Sequence, residues 1–231
     1  QSADAILGEM ALAERDLDRL SSGFQETLRI GGACYAGFGW FPDLYRQMRQ
    51  SRPDAAVEIV SAVSEDPGEL LVNNMADIVL AAGRVEKAQI HCEALASDQL
   101  VAVLPPDHEL SQNAFLDPVR VTDFPYVTHH TLPEDGREYD MIFKPLKIMP
   151  RDVICAGRTQ AVLELVAAGE GITILPEKAV SVQAGYMGLR LQPVTEKGIS
   201  VHWHALIRRT SIDNELILKG IDLLKICLNR S

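Results

Sequence analysis

A helical apolar stripe gives way to a buried strand within a few residues at LVAAGEGITILP (165–176). The apolar positions of 162–168 have helical spacing, whereas 172–175 is a short apolar run of the kind that forms a buried strand. Gly169 can take the left-handed conformation that ends a helix, and Gly171 permits a second turn at once. The segment therefore predicts a helix that folds directly back into a strand.

Strand and helix patterns alternate along most of the chain. Apolar runs predict strands at 28–33, 56–63, 76–83, 100–106, 125–128, 152–155, 172–175 and 201–209, and helical stripes predict helices at 39–52, 66–75, near 134–146, near 159–168 and at 212–228. Strand–helix–strand units in this order predict right-handed crossovers and a mostly parallel sheet. The two halves of the chain have a similar outline, which predicts two α/β lobes with a cleft between them.

The first segment, residues 3–21, has a different pattern. Its apolar residues are separated by alternating steps of four and three, at Ile6, Met10, Ala13, Leu17 and Leu20. This heptad spacing predicts a helix with a narrow apolar seam. The seam either pairs with a partner helix or docks on the chain's own domain, and just over two heptads do not decide between the two.

Composition and charge exclude several classes of protein. With 231 residues, 47% of them apolar, the chain can bury a substantial core. Its net charge of −10 argues against direct binding to nucleic acid or to an anionic membrane, because both need a basic surface. No apolar run approaches the ~20 residues of a membrane span, and no signal-peptide pattern is present. The four widely spaced cysteines predict reduced thiols in the cytoplasm, not a disulfide framework or a zinc cluster.

Several segments together carry a family resemblance. They are LRIGGA (28–33), RQSRPDAAVEIV (49–60), MADIVLAAG (75–83), LVAVLPPDHEL (100–110) and LVAAGEGITILP (165–176). From about residue 11 to residue 209 the sequence resembles the effector-binding half of LysR-type transcriptional regulators. Within that family it is similar to the methionine-biosynthesis regulators that sense homocysteine, through ACYAGFGWFPDL (33–44), DPGELL (66–71) and EKGISVHWHALIRR (196–209).

The resemblance implies a fold and a domain organisation. The implied fold class is α/β, with two Rossmann-like lobes around a central cleft as in type 2 periplasmic binding proteins, preceded by an N-terminal linker helix. Residues 1–22 would be the end of this linker and dimerisation helix. Residues 23–98 and 205–231 would form lobe I of the effector-binding domain, and residues 99–204 would form lobe II. The family's helix-turn-helix DNA-binding domain is absent from the sequence.

The resemblance also implies a function, that of a cytoplasmic sensor domain for a small amino-acid-like or carboxylate effector. The domain would form a homodimer or tetramer, and DNA would be contacted only through the helix-turn-helix domain; no cofactor, metal or membrane is expected. Homocysteine is the lead effector. However, the methionine branch usually has Glu-Cys-aromatic-Thr at the first strand exit, where this sequence has Ala33-Cys34-Tyr35-Ala36, so an acidic group and a hydroxyl are missing.

Ligands of open α/β lobes bind beyond the carboxyl ends of the strands. Four predicted strand exits therefore supply the candidate ligand contacts, which are Cys34, Tyr35, Ser61, Thr128, His129, Arg158 and Thr159. The exit at 155–159 resembles an anion site, because backbone N–H groups at a helix N-terminus, a hydroxyl and a guanidinium can together bind a carboxylate. On this interpretation LVAAGEGITILP is scaffold that holds this helix N-terminus at the cleft.

Each candidate also has a purely structural interpretation. Arg158 could pair with a surface acid, and Thr159 could serve only as a helix N-cap. Cys34 could be a small buried residue and Tyr35 could pack in the core. These alternatives stay open at the level of the sequence.

The histidines raise the question of a metal site. His202 and His204 share one face of a predicted strand, and with His129 or His130 they could bind a metal. We expect no metal, because such spacings are common by chance, and the His129–His130 pair could equally be a solvent-facing loop. Trp203 lies on the other face of the strand and is expected to pack in the core.

Catalysis finds little support in the sequence. There is no GxSxG, P-loop or HExxH pattern, so no catalytic residue is predicted. Two alternatives to the sensor domain remain. One is a free-standing solute-binding protein of similar fold, against which the N-terminal helix and the unpaired cysteines argue. The other is a cysteine-dependent enzyme, which lacks any local catalytic motif.

Overall fold

The computed structural model describes residues 23–32, 39–60, 67–83, 85, 87–129 and 137–229, together with Met10, Ala13, Glu14, Leu17 and Ser21. The strands are β1 (Glu26–Gly32), β2 (Ala55–Val60), β3 (Ile78–Ala82), β4 (Ile90–Leu104), β5 (Tyr126–Thr128), β6 (Val153–Cys155), β7 (Thr173–Pro176), β8 (Arg190–Pro193) and β9 (Ser200–Arg208). The α-helices are α1 (Phe41–Ser51), α2 (Pro67–Val72), α3 (Lys144–Leu146), α4 (Thr159–Ala167), α5 (Glu177–Tyr186) and α6 (Glu215–Leu228). Most of the predicted N-terminal helix lies outside the described residues.

The strands form two groups that share β4. The main sheet has the order β2-β1-β3-β9-β4-β7, and β8 also pairs with β4. Strands β5 and β6 pair with each other, and a bridge between Tyr126 and Ile172 joins β5 to the start of β7. We call β1–β3 with α1, α2 and α6 lobe I, and β5–β8 with α4 and α5 lobe II. Residues 90–99 of β4 pair with β9, whereas residues 100–104 pair with β7 or β8.

The carboxyl ends of the parallel strands in the two lobes converge on the middle of β4. At the end of β3, Ala82 pairs with Trp203 of β9, and Trp203 in turn pairs with Ala96 of β4. At the end of β7, Pro176 pairs with Leu100 of β4. The carboxyl ends of the strands of lobe I therefore face those of lobe II, with residues 96–100 of β4 between them. In α/β folds ligands bind at such ends of strands.

The strand directions differ in part from the prediction of a mostly parallel sheet. Strands β1, β2 and β3 are parallel, as the two strand–helix–strand units predicted. Four pairings are antiparallel, namely β3–β9, β9–β4, β4–β7 and β4–β8. The reason is that β4 carries the chain from lobe I to lobe II and β9 carries it back, so the two strands must run in opposite directions.

The described elements also differ from the prediction in extent. Strand β4 begins at Ile90, ten residues before the predicted strand at 100–106, and α5 and β8 were not predicted. Helix α2 ends at Val72 and is followed by Asn74 with a positive φ of 55°, so it is shorter than the predicted 66–75. In the described part of 134–146, a π-helical turn at Tyr139–Phe143 precedes α3.

The abrupt return at LVAAGEGITILP is confirmed. Gly169 has a φ of +82°, and the N–H of Glu170 donates to the carbonyl of Leu165 at 3.1 Å, which closes the end of α4. Gly171 is needed for a different reason, because a Cβ atom there would lie 2.5 Å from the carbonyl oxygen of Pro125. The neighbouring N–H of Ile172 donates to that same carbonyl at 3.0 Å, so the close approach seats β7 against β5.

We expect Gly171→Ala to destabilise the protein by about 1–3 kcal/mol, because the added methyl group must displace the backbone at Pro125. Urea unfolding checks this. Gly185→Ala is the matched control: Gly185 lies in α5 with no atom within 4 Å of the position a Cβ would take, and the same substitution there should be neutral or stabilising. Equal midpoints for the two variants would contradict the packing role of Gly171.

His108 is a half-buried histidine whose ring accepts a backbone hydrogen bond. Its Nδ1 accepts the N–H of Leu110 at 3.2 Å, and its ring lies edge-on to Phe124 with the centroids 4.6 Å apart. Burial lowers the pKa of His108, and a neutral ring is what this accepting nitrogen requires. The unfolded chain therefore binds a proton more readily than the folded chain.

We expect the free energy of unfolding to fall as the pH is lowered through about 6.5, the ordinary pKa of histidine, towards the lower pKa of the folded state. His108→Asn keeps an oxygen that can accept the Leu110 N–H but does not titrate. Urea unfolding at several pH values between 5 and 8 should therefore show a smaller loss of stability on acidification for His108→Asn than for the wild type. Parallel curves would show that His108 contributes nothing to the pH dependence.

Candidate functional site

The exit of β5 supplies two of the predicted ligand contacts. Thr128 ends the strand and His129 follows it, and both residues are buried, with 1% of their surface exposed. The carbonyl of Thr128 accepts the N–H of Ala156, and the carbonyl of His129 accepts the thiol of Cys155 at 3.2 Å. The predicted alternative of a solvent-facing loop is therefore wrong for His129, while His130 lies outside the described residues.

The exit of β6 lies beside the exit of β5 and supplies two more of the predicted ligand contacts, Arg158 and Thr159. Gly157 has a φ of +71°, and Arg158 is extended and forms the N-cap of α4, which begins at Thr159. The alternative of Thr159 as the N-cap is therefore not what the structure shows. The hydroxyl of Thr159 instead lies 3.0 Å from Nε2 of His129, which joins the two strand exits.

Arg158 is the exposed cation of this group. Its side chain does not cap α4, and within the described ranges it makes neither an ion pair nor a side-chain hydrogen bond. The alternative in which Arg158 pairs with a surface acid therefore has no support in the described part of the chain. The first N–H groups of α4 carry partial positive charge beside it. A guanidinium and a helix N-terminus at one place can bind a carboxylate or another small anion.

Thr128 adds a polar group that has no partner inside the described part of the protein. Its Oγ1 is fully buried and no described residue lies within hydrogen-bonding distance in suitable geometry. A buried hydroxyl without a partner costs free energy, so such a group needs an explanation. Its position at the strand exit, next to His129 and opposite Cys155 in the β5–β6 register, places it where a bound polar molecule would contact it.

Three predicted contacts are not described. Cys34, Tyr35 and Ser61 lie outside the described residues, at the exits of β1 and β2. The structure brings together Thr128, His129, Arg158 and Thr159 of lobe II, as the strand-exit rule predicted. That these residues contact a ligand stays a prediction.

The histidines of β9 make local contacts. Nδ1 of His202 lies 3.2 Å from the hydroxyl of Ser97, and Nδ1 of His204 lies 3.0 Å from the carbonyl of His202. Among the described residues, no group of three or more His, Cys, Asp and Glu side chains has an arrangement that could hold a metal ion. Trp203 is buried on the opposite face, as predicted.

Sequence reasoning missed Asp98, which lies on β4 where the strand ends of the two lobes converge. Only 6% of its surface is exposed. Its carboxylate accepts the indole N–H of Trp203 at 2.8 Å and the backbone N–H of Lys178 at 3.1 Å. Burial raises the pKa of Asp98, and the hydrogen bonds from Trp203, Gln99 and Lys178 oppose that rise. No local motif marks such a residue, because its partners are 80 and 105 positions away.

None of the helices that the structure describes has both the length and the apolar character needed to cross a membrane.

Comparison with known proteins agrees with this geometry. Residues 21–225 match the family described as the LysR substrate binding domain. Because the match covers most of the chain, the chain belongs to this family, and its fold is the two-lobed α/β fold of LysR effector-binding domains.

Individual relatives are transcriptional regulators. The chain is 27% identical over 210 residues to the HTH-type transcriptional regulator MetR of Haemophilus influenzae. The aligned region covers 90% of this chain and 67% of that protein. It is 26% identical over 163 residues to the HTH-type transcriptional regulator AlsR of Bacillus subtilis, and 25% identical over 183 residues to MetR of Salmonella typhimurium. The chain spans little more than half the length of these last two, 54% and 56%.

Solved structures support the fold. The regulatory domain of MetR from N. meningitidis, in a form with two cysteines replaced by serine, has a TM-score of 0.73 at 22% identity, covering 89% of this chain and 95% of that one. The effector binding domain of QuiR in complex with shikimate has a TM-score of 0.73 at 17% identity, with 88% and 97% covered. The BenM effector binding domain with its effector benzoate has a TM-score of 0.70 at 20% identity, with 90% and 94% covered.

Proposed function

We propose that this chain is the effector-sensing domain of a LysR-type transcriptional regulator and binds a small carboxylate or amino-acid-like molecule between its lobes. The observation that carries the proposal is the group at the exits of the paired strands β5 and β6, where exposed Arg158 stands at the N-terminus of α4 and the buried hydroxyl of Thr128 ends β5. No catalytic step is assigned to these residues. The ligand acts by its presence, because it favours one arrangement of the lobes over another.

The chemistry of the ligand is argued from charge and from the neighbouring structures. A guanidinium and helix N–H groups select a negative group, and a buried hydroxyl selects a polar substituent without adding charge. Shikimate and benzoate, which occupy the QuiR and BenM domains, both carry a carboxylate. Homocysteine is the lead because of the similarity to MetR, although Ala33 and Ala36 flank Cys34 and Tyr35 where the methionine branch has an acid and a hydroxyl.

The proposal extends to the organisation of the whole protein. Lobe I would comprise residues 23–98 and 205–231, and lobe II residues 99–204, so that the chain crosses between them on β4 and β9. Residues 1–22 would be the end of a linker helix that pairs with a second copy in a cytoplasmic homodimer or tetramer. DNA contact would belong to a helix-turn-helix domain that these 231 residues do not include, which fits the net charge of −10.

A thermal-shift screen of sulfur amino acids and small carboxylates tests the proposed function. A ligand at 100 times its Kd adds about 2.7 kcal/mol to stability, which should raise the Tm of a chain of this size by roughly 5–11 °C. Methyl esters of the same compounds are the matched controls, because they lack the charge that Arg158 is proposed to bind. Stabilisation that is equal for acid and ester would contradict the carboxylate assignment.

A further inference from the structure

The carboxylate of Asp98 holds elements of both lobes at one point. Oδ2 accepts the indole N–H of Trp203 at 2.8 Å and the backbone N–H of Lys178 at 3.1 Å, and Oδ1 accepts the N–H of Gln99 at 2.7 Å. Lys178 lies in the first turn of α5, in lobe II. Trp203 lies on β9, where it pairs with Ala82 of β3, a strand of lobe I. One side chain on β4 therefore joins α5 of lobe II to the sheet of lobe I.

The strand that carries Asp98 is irregular just before it. The register between β4 and β9 shifts between Ala94 and Ala96, so that Leu95 has no opposite residue on β9. A bulge of this kind interrupts the ladder of hydrogen bonds and lets a strand bend locally. The bulge at Leu95 lies three residues before Asp98, in the strand that passes from lobe I to lobe II.

A cavity of about 550 Å³ lies beside the carboxylate, between helices of the two lobes. Trp40 at the start of α1 and Leu228 at the end of α6 line it on the side of lobe I. Ser181 and Val182 of α5 line it on the side of lobe II, and Asp98 lies in its wall. The cavity therefore separates α5 from α1 and α6 next to the contact at Asp98.

We propose that Asp98 is the pivot between the lobes: its hydrogen bonds from Lys178 and Trp203 fix the resting angle of α5 against β9, and rotation about them at the bulge of β4 narrows the cavity between α5 and α1. Asp98 is a positioning residue on this proposal, and it contacts no ligand. The proposal goes beyond the sensing function and concerns the motion that a sensor of any ligand would use.

Distances between spin labels on the two lobes test the pivot without any ligand. The labels are placed at Arg49→Cys on α1 and Gln183→Cys on α5, both exposed positions, after replacement of the four native cysteines by serine. We expect a narrow distance distribution with Asp98 present and a broader, shifted one in Asp98→Ala. Trp203→Phe keeps an aromatic ring but loses the N–H donor, so it should change the distribution in the same direction and by less.

Glu177→Ala is the matched control, because Glu177 is an exposed acid that lines the same cavity, and it should leave the distribution unchanged. Amide hydrogen exchange at Lys178 reports the local contact and should become roughly tenfold faster or more in Asp98→Ala. Faster exchange at Lys178 with unchanged label distances in both Asp98→Ala and Trp203→Phe would show that Asp98 is only a helix cap and would overturn the proposal. If Asp98→Ala does not fold, the label distances in Trp203→Phe alone test the proposal. Because no ligand is present in these measurements, neither outcome bears on the proposed effector site, which has its own test.

Discussion

Glu138→Ala should destabilise the protein by about 3–5 kcal/mol, because it removes one partner of a fully buried ion pair. Arg137 and Glu138 have 1% and 0% of their side-chain surface exposed. Nε of Arg137 donates to one carboxylate oxygen of Glu138, and Nη2 donates to the other at 2.9 Å. Without the carboxylate, the buried guanidinium keeps its charge but loses two hydrogen bonds that offset its lost hydration.

The surroundings of the pair explain why the loss should spread through lobe II. The hydroxyl of Tyr126, on β5, lies 3.4 Å from Oε1 of Glu138 and accepts the N–H of Ile174, on β7, at 3.3 Å. Burial raises the pKa of Tyr126 well above its ordinary value, so its hydroxyl stays protonated and can donate to the carboxylate. The ion pair thus connects the segment before the π-helical turn to two strands.

Two controls separate burial from charge in the urea unfolding of Glu138→Ala. Asp43→Ala breaks an exposed ion pair, Arg46–Asp43, and should cost no more than about 1 kcal/mol. The double variant Arg137→Met, Glu138→Leu removes both charges together and should be more stable than Glu138→Ala. If Glu138→Ala unfolds at the same urea concentration as Asp43→Ala, the buried pair does not have the role assigned to it.

Arg158→Ala should weaken binding of the effector by roughly 10- to 150-fold, the loss of one charge-assisted bond of about 1.5–3 kcal/mol. The reason is that the guanidinium supplies the full positive charge at the N-terminus of α4, where the helix itself offers only about half a charge. The Tm without ligand should hardly change, because Arg158 is exposed and holds no part of the core together. Calorimetry with a ligand found by thermal shift measures the affinity.

Arg151→Ala is the matched control for this measurement. Arg151 is also exposed, but it precedes β6, whereas Arg158 follows it, so it lies at the end of the strand away from the cleft. Its removal should leave the affinity unchanged. Arg158→Lys keeps the charge but loses the two-pronged geometry, so its affinity should fall between wild type and Arg158→Ala. Equal affinity for wild type and Arg158→Ala would show that the anion site lies elsewhere.

The sequence predicted the elements whose side chains follow a clear period. Strands β1, β2 and β3 and helix α1 were predicted because each has an apolar face of the expected spacing. Helix α5 was missed because its buried residues, Ala179, Val180 and Ala184, are few and small. The first part of β4 was missed because polar residues interrupt its apolar positions, so no strand period is visible there. Its extended conformation depends on pairing with β9, which exists only in the folded chain.

The candidate site was predictable in part for a similar reason. His129 and Thr159 both follow apolar runs that were predicted to be strands, and the structure shows that these two strands are parallel neighbours whose ends lie together. The hydroxyl of Thr128 was placed at the same exit, but its burial without a described partner depends on the packing of the whole lobe. The link from Asp98 to Lys178 and Trp203 joins residues far apart along the chain, which no local pattern reveals.

Because of the topology, the elements of lobe II are synthesised before those of lobe I are complete. The sheet of lobe I needs β9, and its helix layer needs α6, both of which are made after lobe II, within 200–228. The strands of lobe II, together with β4, are all encoded before residue 194. A ribosome that makes this chain therefore completes the described strands of lobe II while lobe I still lacks two of its elements. Apolar surface of lobe I stays uncovered until α6 emerges.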